Sequence, residues 1–223
     1  MTQPDLRLAI FDCDGTLVDS FVAIHAAMVA AFRDHGMAAP SKAKLRGMIG
    51  LSVAEQIAVL APDAPRGIRI ALEDGYRFHR LGRKDPPEPM FPGACDCLER
   101  LDRVGILMSI ATAKSSKGLF ATLERHDLRR YFVNLQTGDR HPGKPNPAMV
   151  LTSLAEAGVD AENAVVVGDT RFDMEMAVNA GVTPIGVAWG YHEPQSLLGA
   201  GAQEIATDFP ALSRLILDRF CLG

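Results

Sequence analysis

Short apolar runs alternate with amphipathic stretches along most of this chain. The runs that indicate buried strands lie at residues 8–11, 107–111, 132–135, 164–167 and 183–187. Between and after them, apolar residues recur at spacings of three and four, which predicts helices at 93–104, 116–126, 147–157, 171–180 and 211–220. Repeated strand–helix units predict an α/β fold with a doubly wound, mostly parallel sheet.

The segment that follows the first predicted strand has a different pattern. Between residues 20 and 83 apolar residues recur only at helical spacing, and the first of these helices is predicted to end near Gly36. A second helix is predicted to begin at Ser41. Ser52 and Glu55 have the spacing of a capping box, which predicts the start of a further helix. This part of the chain is therefore expected to be all-helical.

The two patterns together predict two domains. Residues 1–19 and 84–223 are expected to form the α/β domain, and residues 20–83 a helical cap domain inserted into it. The connecting residues 83–89 are dense in proline and charge, as in a linker. No internal repeat or low-complexity tract interrupts this organisation.

Composition excludes several classes of protein. The 223 residues are 48% hydrophobic and carry a net charge of -4, which gives no electrostatic case for binding nucleic acid or an anionic membrane. No run approaches the ~18 apolar residues of a spanning helix. The four cysteines have no disulfide or metal-ligand spacing, and the polar N-terminus is unlike a secretory signal. We therefore expect a cytoplasmic protein. The protein is expected to be a monomer or a homodimer, a choice that the sequence does not make.

Polar residues stand at the carboxyl ends of the predicted strands. Asp12 and Asp14 end the first one, and on an extended chain their side chains would share a face. A divalent cation would relieve their repulsion, and oxygen ligands of this kind suit Mg²⁺. The polar residues associated with the later strands are Thr112, Lys144, Asp169 and Asp173. Each could singly be a turn residue, a helix cap or a solvated charge, but together they indicate a site.

In their order along the chain, these residues resemble the four motifs of the haloacid dehalogenase superfamily. The matching stretches are residues 12–20, Thr112, Lys144 with the prolines after it, and residues 168–173. Within the superfamily the chain is similar to the phosphoglycolate phosphatase-like members, which carry a helical cap after the first motif. One position departs from the pattern, since Ala113 follows Thr112 where these phosphatases commonly have asparagine.

The resemblance implies a Mg²⁺-dependent phosphatase that works through an aspartyl-phosphate. Asp12 is the implied nucleophile, and Asp14 is the implied general acid and then base. Thr112 and Lys144 would hold the phosphoryl group. The implied Mg²⁺ ligands are Asp12, Asp169 and the backbone carbonyl of Asp14. Asp173 would act through water on the metal or by orienting Lys144.

The inserted helices are expected to recognise the leaving group of a small phosphorylated metabolite. The candidate substrate-contacting residues are Ala113, Arg46 and Ser52. Lys42, Lys44 and Arg46 suit a carboxylate or a second phosphate, although a solvated helix face explains these charges equally well.

Several functions are compatible with this site. A phosphatase that acts on 2-phosphoglycolate or a sugar phosphate is favoured over a phosphoglucomutase-type isomerase, because Thr16 stands where such mutases usually have an apolar residue. Dehalogenases lack the carboxylate at the position of Asp14. Phosphonoacetaldehyde hydrolases need a cap lysine, and residues 50–60 contain none. A non-catalytic ligand-binding module is the remaining alternative, although every catalytic-type position is filled.

Overall fold

The computed structural model describes residues 6–82 and 88–222. The strands in these residues are β1 (Leu8–Phe11), β2 (Leu107–Thr112), β3 (Phe132–Thr137), β4 (Ala164–Gly168), β5 (Thr183–Val187) and β6 (Glu204–Ala206). They form one parallel sheet in the order β3-β2-β1-β4-β5-β6, so the predicted α/β fold is confirmed. Strand β6 was not predicted, because three residues are too short for a period to be recognised.

The described residues also form ten α-helices. Their bounds are α1 Phe21–Asp34, α2 Lys42–Arg46, α3 Val53–Leu60, α4 Arg66–Gly82, α5 Ala94–Arg103, α6 Ser116–Arg125, α7 Ala148–Ala157, α8 Arg171–Asn179, α9 Pro194–Gly199 and α10 Phe209–Arg219. The predicted helices are present with ends shifted by a residue or two, but the short α9 was missed. No helix within residues 6–82 and 88–222 has the length and apolar character needed to cross a bilayer.

Helices cover both faces of the sheet. Successive side chains of a strand point to opposite faces, so β1 contributes to two separate clusters. Leu8 and Ile10 pack with residues of α7 and α8, while Ala9 and Phe11 pack with residues of α5, α6 and α10. Because helices bury both faces of the sheet, a ligand site is expected in the loops at the carboxyl ends of the strands.

The helices α1 to α4 lie between β1 and α5 in the chain and share an apolar cluster, to which Tyr191 also contributes. The two backbone segments that connect these helices to the rest of the chain lie next to each other. The backbone N–H of Asp19 donates to the carbonyl of Pro89 at 2.8 Å, and that of Phe91 donates to the carbonyl of Leu17 at 3.0 Å. The helices are thus attached at the carboxyl end of β1. Residues 83–87 of the predicted linker lie outside the described residues.

Candidate active site

The pairing of the central strands places the ends of β1, β2 and β4 next to one another. Phe11, the last residue of β1, pairs with Ile110 of β2 and Val167 of β4. Asp12 comes one residue after β1, and Asp169 comes one residue after β4. Parallel register therefore places these two carboxylates side by side, and both are buried.

Lys144 lies between two of the carboxylates. Its Nζ is 2.8 Å from Oδ1 of Asp12 and 2.5 Å from Oδ1 of Asp173, and its side chain is completely buried. Asp173 belongs to the capping box at the start of α8, where its Oδ2 accepts from the Thr170 N–H at 3.0 Å and the Thr170 hydroxyl at 2.6 Å. The helix start therefore fixes Asp173, and Asp173 in turn holds the Lys144 ammonium against Asp12.

Two donors and a close backbone fix the carboxylate of Asp169. The Thr16 hydroxyl donates to Oδ1 at 2.9 Å, and the Tyr191 N–H donates to Oδ2 at 2.9 Å. A Cβ at Gly190 would lie 2.1 Å from the Cβ of Asp169, so glycine alone fits at this position. The segment before Tyr191 thus packs directly on Asp169 and leaves it little freedom.

The carboxylates of Asp12, Asp169 and Asp173 form a buried cluster that could hold a metal ion. One oxygen of each lies within 4.8 Å of the others. Lys144 supplies one positive charge against these three carboxylates, so a divalent cation would balance the excess, and an all-oxygen donor set suits a hard ion. Burial and the charge of Asp173 raise the pKa of Asp169 well above its usual value. Burial also raises the pKa of Asp12 to about 6, although Lys144 opposes the shift.

Asp14 faces a different set of charges. Its Oδ1 is 2.6 Å from Nζ of Lys114, which is 3.7 Å from Oε2 of Glu88, and Glu88 is paired with Arg80 of α4 at 2.5 Å. Burial by itself would raise the pKa of Asp14, but Lys114 and Arg80 outweigh burial and lower it. Asp14 is therefore ionised near neutral pH. Sequence reasoning missed Lys114, which stands only two residues beyond Thr112, and nothing in the sequence pointed to Arg80.

A cavity of about 230 Å³ lies between this edge of the sheet and the helices inserted after β1. The strand-end residues that line it include Asp12, Asp14, Thr112 and Ala113. The residues that line it from the inserted helices and the loop before α3 include Ile24, Leu51, Ser52, Gln56, Tyr76 and Arg80. The predicted nucleophile and side chains of the inserted helices thus line the same cavity.

The three candidate substrate residues occupy different places. Ala113 and Ser52 line the cavity, but the Ser52 hydroxyl accepts from the Glu55 N–H at 3.3 Å while the Ser52 N–H donates to Oε2 of Glu55 at 2.9 Å, which confirms the predicted capping box. Arg46 is not among the lining residues. Its guanidinium carbon lies 4.7 Å from the centre of the Phe21 ring and 5.8 Å from that of Tyr191. The exposed Arg46 therefore packs on two aromatic rings and does not line the cavity.

Comparison with known proteins agrees with this geometry. A family model described as haloacid dehalogenase-like hydrolase matches residues 9–187. A Dickeya dadantii protein named "Probable phosphatase IndB" is 35% identical over 207 residues, which cover 91% of this chain and 90% of that protein. A Vibrio parahaemolyticus protein named phosphoglycolate phosphatase is 29% identical over 97% of this chain and 98% of its own length.

A solved structure shares the fold over nearly the whole chain. The structure of a hydrolase from Pseudomonas syringae superposes with a TM-score of 0.85 at 24% identity, covering 95% of this chain and 98% of that one. The family match includes β1 from its second residue, all of β2 to β5, and the loops that carry the buried carboxylates and Lys144. The chain therefore belongs to the haloacid dehalogenase-like hydrolase family, within its phosphoglycolate phosphatase-like group of phosphoric monoester hydrolases.

Proposed function

We propose that this protein is a Mg²⁺-dependent phosphatase that hydrolyses a small phosphate monoester, such as 2-phosphoglycolate or a sugar phosphate, by way of a phosphoryl group carried on Asp12. The observation that carries the proposal is the placement of Asp12. Its carboxylate is 2.8 Å from the Lys144 ammonium, and the residue lines a cavity of about 230 Å³. A carboxylate can attack phosphorus without first losing a proton, and the neighbouring cation offsets the repulsion between two anions.

The reaction has two displacements at phosphorus. In the first, a carboxylate oxygen of Asp12 forms a bond to phosphorus while the bond to the leaving oxygen breaks, and Asp14 gives that oxygen a proton. In the second, a water oxygen attacks phosphorus, Asp14 takes a proton from the water, and the bond to Asp12 breaks. The Thr112 hydroxyl and Lys144 hold the phosphoryl oxygens through both displacements.

The ion pair of Asp14 with Lys114 bears on the first displacement. As general acid Asp14 must carry a proton, yet Lys114 at 2.6 Å favours the ionised form. An anionic substrate bound in the cavity would compete for the Lys114 ammonium, since Lys114 lines the same cavity. We infer that Asp14 becomes protonated only in the substrate complex and that its ionised form serves the water step.

The metal ion is proposed to be held by Asp12, Asp169 and the backbone carbonyl of Asp14. When bound, Mg²⁺ supplies positive charge that neutralises the phosphate and the carboxylates around it. Asp173 is left out of this ligand set, because its Oδ1 is paired with the Lys144 ammonium and its Oδ2 accepts two hydrogen bonds from Thr170, whereas each oxygen of Asp169 accepts only one. Its proposed role is to position Lys144.

The helices between β1 and α5 are proposed to form a cap domain over residues 20–83, with residues 1–19 and 84–223 forming the α/β core. Their separate apolar cluster supports this division, and so do the adjacent connections at Asp19 and Phe91. A lid attached in this way would exclude water from the phosphoryl group and contact the leaving group.

Phosphate release from a panel of monoesters tests the proposed function directly. The panel includes 2-phosphoglycolate and several sugar phosphates, each assayed with Mg²⁺, with excess chelator, and after Mg²⁺ is added back. We expect release with Mg²⁺, loss of release on chelation, and recovery on re-addition. Release that is indifferent to the chelator would contradict the metal assignment.

The same assay separates the other functions. Incubation with β-glucose 1-phosphate and a bisphosphate primer would yield glucose 6-phosphate if the protein were a mutase, and inorganic phosphate if it is a phosphatase. A ligand-binding module would give neither product. Net hydrolysis is the expected result.

Thr16 provides a sharper test of the metal site. Thr16→Val preserves the shape of this buried side chain but removes the hydroxyl that donates to Oδ1 of Asp169. Loss of a partner that orients a metal ligand typically weakens metal binding about 10- to 100-fold. We expect the Mg²⁺ concentration for half-maximal activity to rise by that factor, as measured by titration of phosphate release.

The control variant is Thr16→Ser, which retains the hydroxyl and should keep the Mg²⁺ requirement within a few-fold of the original. The decisive variant is Thr16→Val. If it required the same Mg²⁺ concentration as Thr16→Ser and the unmodified protein, Asp169 would not be a metal ligand oriented by Thr16.

A further inference from the structure

The wall of the cavity formed by the inserted helices holds one buried amide whose acceptor is not used. Gln56 of α3 lines the cavity and is 6% exposed. Its Nε2 donates to the backbone carbonyl of Leu51 at 2.9 Å. Its Oε1 is buried and has no hydrogen-bond partner among the described residues. A buried acceptor of this kind is costly to leave unsatisfied, which makes it a marker of a missing partner.

The orientation of the Gln56 amide follows from its surroundings. A flipped amide would place Oε1 against the Leu51 carbonyl, where two acceptors would face each other, so Nε2 must take that position. The nearby wall of the cavity is apolar, with Ile49, Leu51 and Val53 among its lining residues. The Gln56 carbonyl is therefore an unpaired acceptor next to apolar side chains, and the hydrogen bond that Nε2 donates to Leu51 fixes the orientation of the amide.

Two of the cations that line the cavity are already paired with carboxylates. Lys114 is paired with Asp14 at 2.6 Å, and Arg80 is paired with Glu88 at 2.5 Å. A second anionic end of the leaving group that reached either cation would have to compete with Asp14 or Glu88 for it. A leaving group with a hydrogen-bond donor would instead find Oε1 of Gln56 without a competing partner.

We propose that Gln56 selects the leaving group by accepting a hydrogen bond from it, so that the preferred substrates are phosphate esters of alcohols bearing a further hydroxyl or amine. This inference rests on the proposed phosphatase function and narrows its substrate class. Esters such as 2-phosphoglycolate, whose far end offers only acceptor oxygens at neutral pH, are then the poorer substrates. A site built to accept a hydrogen bond rejects an analogue that lacks the donor, because the acceptor is again left unpaired.

The test compares small esters whose leaving groups either carry or lack a hydrogen-bond donor. Glycerol 1-phosphate, 2-aminoethyl phosphate, propyl phosphate and 2-phosphoglycolate are hydrolysed by the unmodified protein and by Gln56→Met, and kcat/KM is measured for each. The unmodified protein should prefer a donor-bearing ester over propyl phosphate by about tenfold or more. Gln56→Met should lower kcat/KM for that ester by about 10- to 100-fold and leave propyl phosphate within about twofold. Whether glycerol 1-phosphate or 2-aminoethyl phosphate loses more identifies the donor as hydroxyl or amine.

The ratio between esters separates recognition from a purely structural role. Loss of the hydrogen bond to Leu51 in Gln56→Met would impair all esters alike, whereas loss of the acceptor impairs only donor-bearing ones. The matched control is Gln136→Met, because Gln136 is a buried glutamine outside the cavity lining whose Nε2 and Oε1 both have partners. This control should leave the ratio between esters unchanged.

The outcomes distinguish this inference from the proposed function. If no ester releases phosphate with Mg²⁺, the phosphatase proposal itself fails. If phosphate is released but the unmodified protein does not distinguish propyl phosphate from the donor-bearing esters, the role of Gln56 is overturned while the phosphatase proposal stands. That second comparison needs no variant, so the inference remains testable even if Gln56→Met does not fold.

Discussion

Replacing Asp12 with asparagine is expected to lower the rate of phosphate release by about 10⁴-fold or more while the protein stays folded. The amide has the shape of the carboxylate but cannot attack phosphorus, and loss of a nucleophile is among the most costly changes an enzyme can undergo. Lys144 keeps its second partner in this variant, since Asp173 remains 2.5 Å away. The measurement is single-turnover phosphate release at saturating substrate.

The stability of the Asp12→Asn variant provides an independent check. Burial and the nearby Asp173 make the negative charge of Asp12 unfavourable, which is why its pKa is raised to about 6. Removing this charge should leave the melting temperature in chelator unchanged or higher, and should reduce the stabilisation by Mg²⁺ because one proposed ligand is lost. The exposed Asp160→Asn is the control and should behave like the unmodified protein. Substantial turnover by Asp12→Asn would exclude the covalent route.

The second large effect is expected at Lys144. Lys144→Met removes a completely buried ammonium and leaves the carboxylates of Asp12 and Asp173 without their counter-ion. Breaking a buried ion pair from one side typically costs about 3–5 kcal/mol. For a chain of this length that corresponds to a fall in melting temperature of roughly 10 °C. Turnover should fall by about 10³-fold, since the cation that holds the phosphoryl group is gone.

A divalent cation should partly compensate for the missing ammonium. We therefore expect Mg²⁺ to raise the melting temperature of Lys144→Met by more than it raises that of the unmodified protein, as measured by thermal unfolding with and without chelator. Lys117→Met, a change at an exposed lysine of α6, is the control and should alter neither stability nor turnover appreciably. If Lys144→Met had the melting temperature of the unmodified protein, the ion pairs of Lys144 with Asp12 and Asp173 would not stabilise the fold.

The acidic edge of the sheet was predictable from the sequence because parallel register leaves little choice. Apolar runs that end in acidic or hydroxyl residues identify the carboxyl ends of buried strands, and those ends must meet at one edge. Asp12 and Asp169 illustrate this, since Phe11 pairs directly with Val167. The role of Thr170 and Asp173 as a capping box is likewise local in the sequence. Among the described residues of the α/β part, the short elements β6 and α9 were missed because they have no recognisable period.

The sequence by itself thus determined the fold class, the inserted helical segment and the group of residues at the carboxyl edge. The tertiary structure alone decided which side chains of the inserted helices face that edge. Arg46 had the more suggestive charge, yet it lies on the rings of Phe21 and Tyr191, while the uncharged Gln56 lines the cavity. Helical periodicity predicts that one face of a helix is buried, but the packing of helices against the sheet determines what that face contacts. The pairs Lys114–Asp14 and Arg80–Glu88 depend on the same packing.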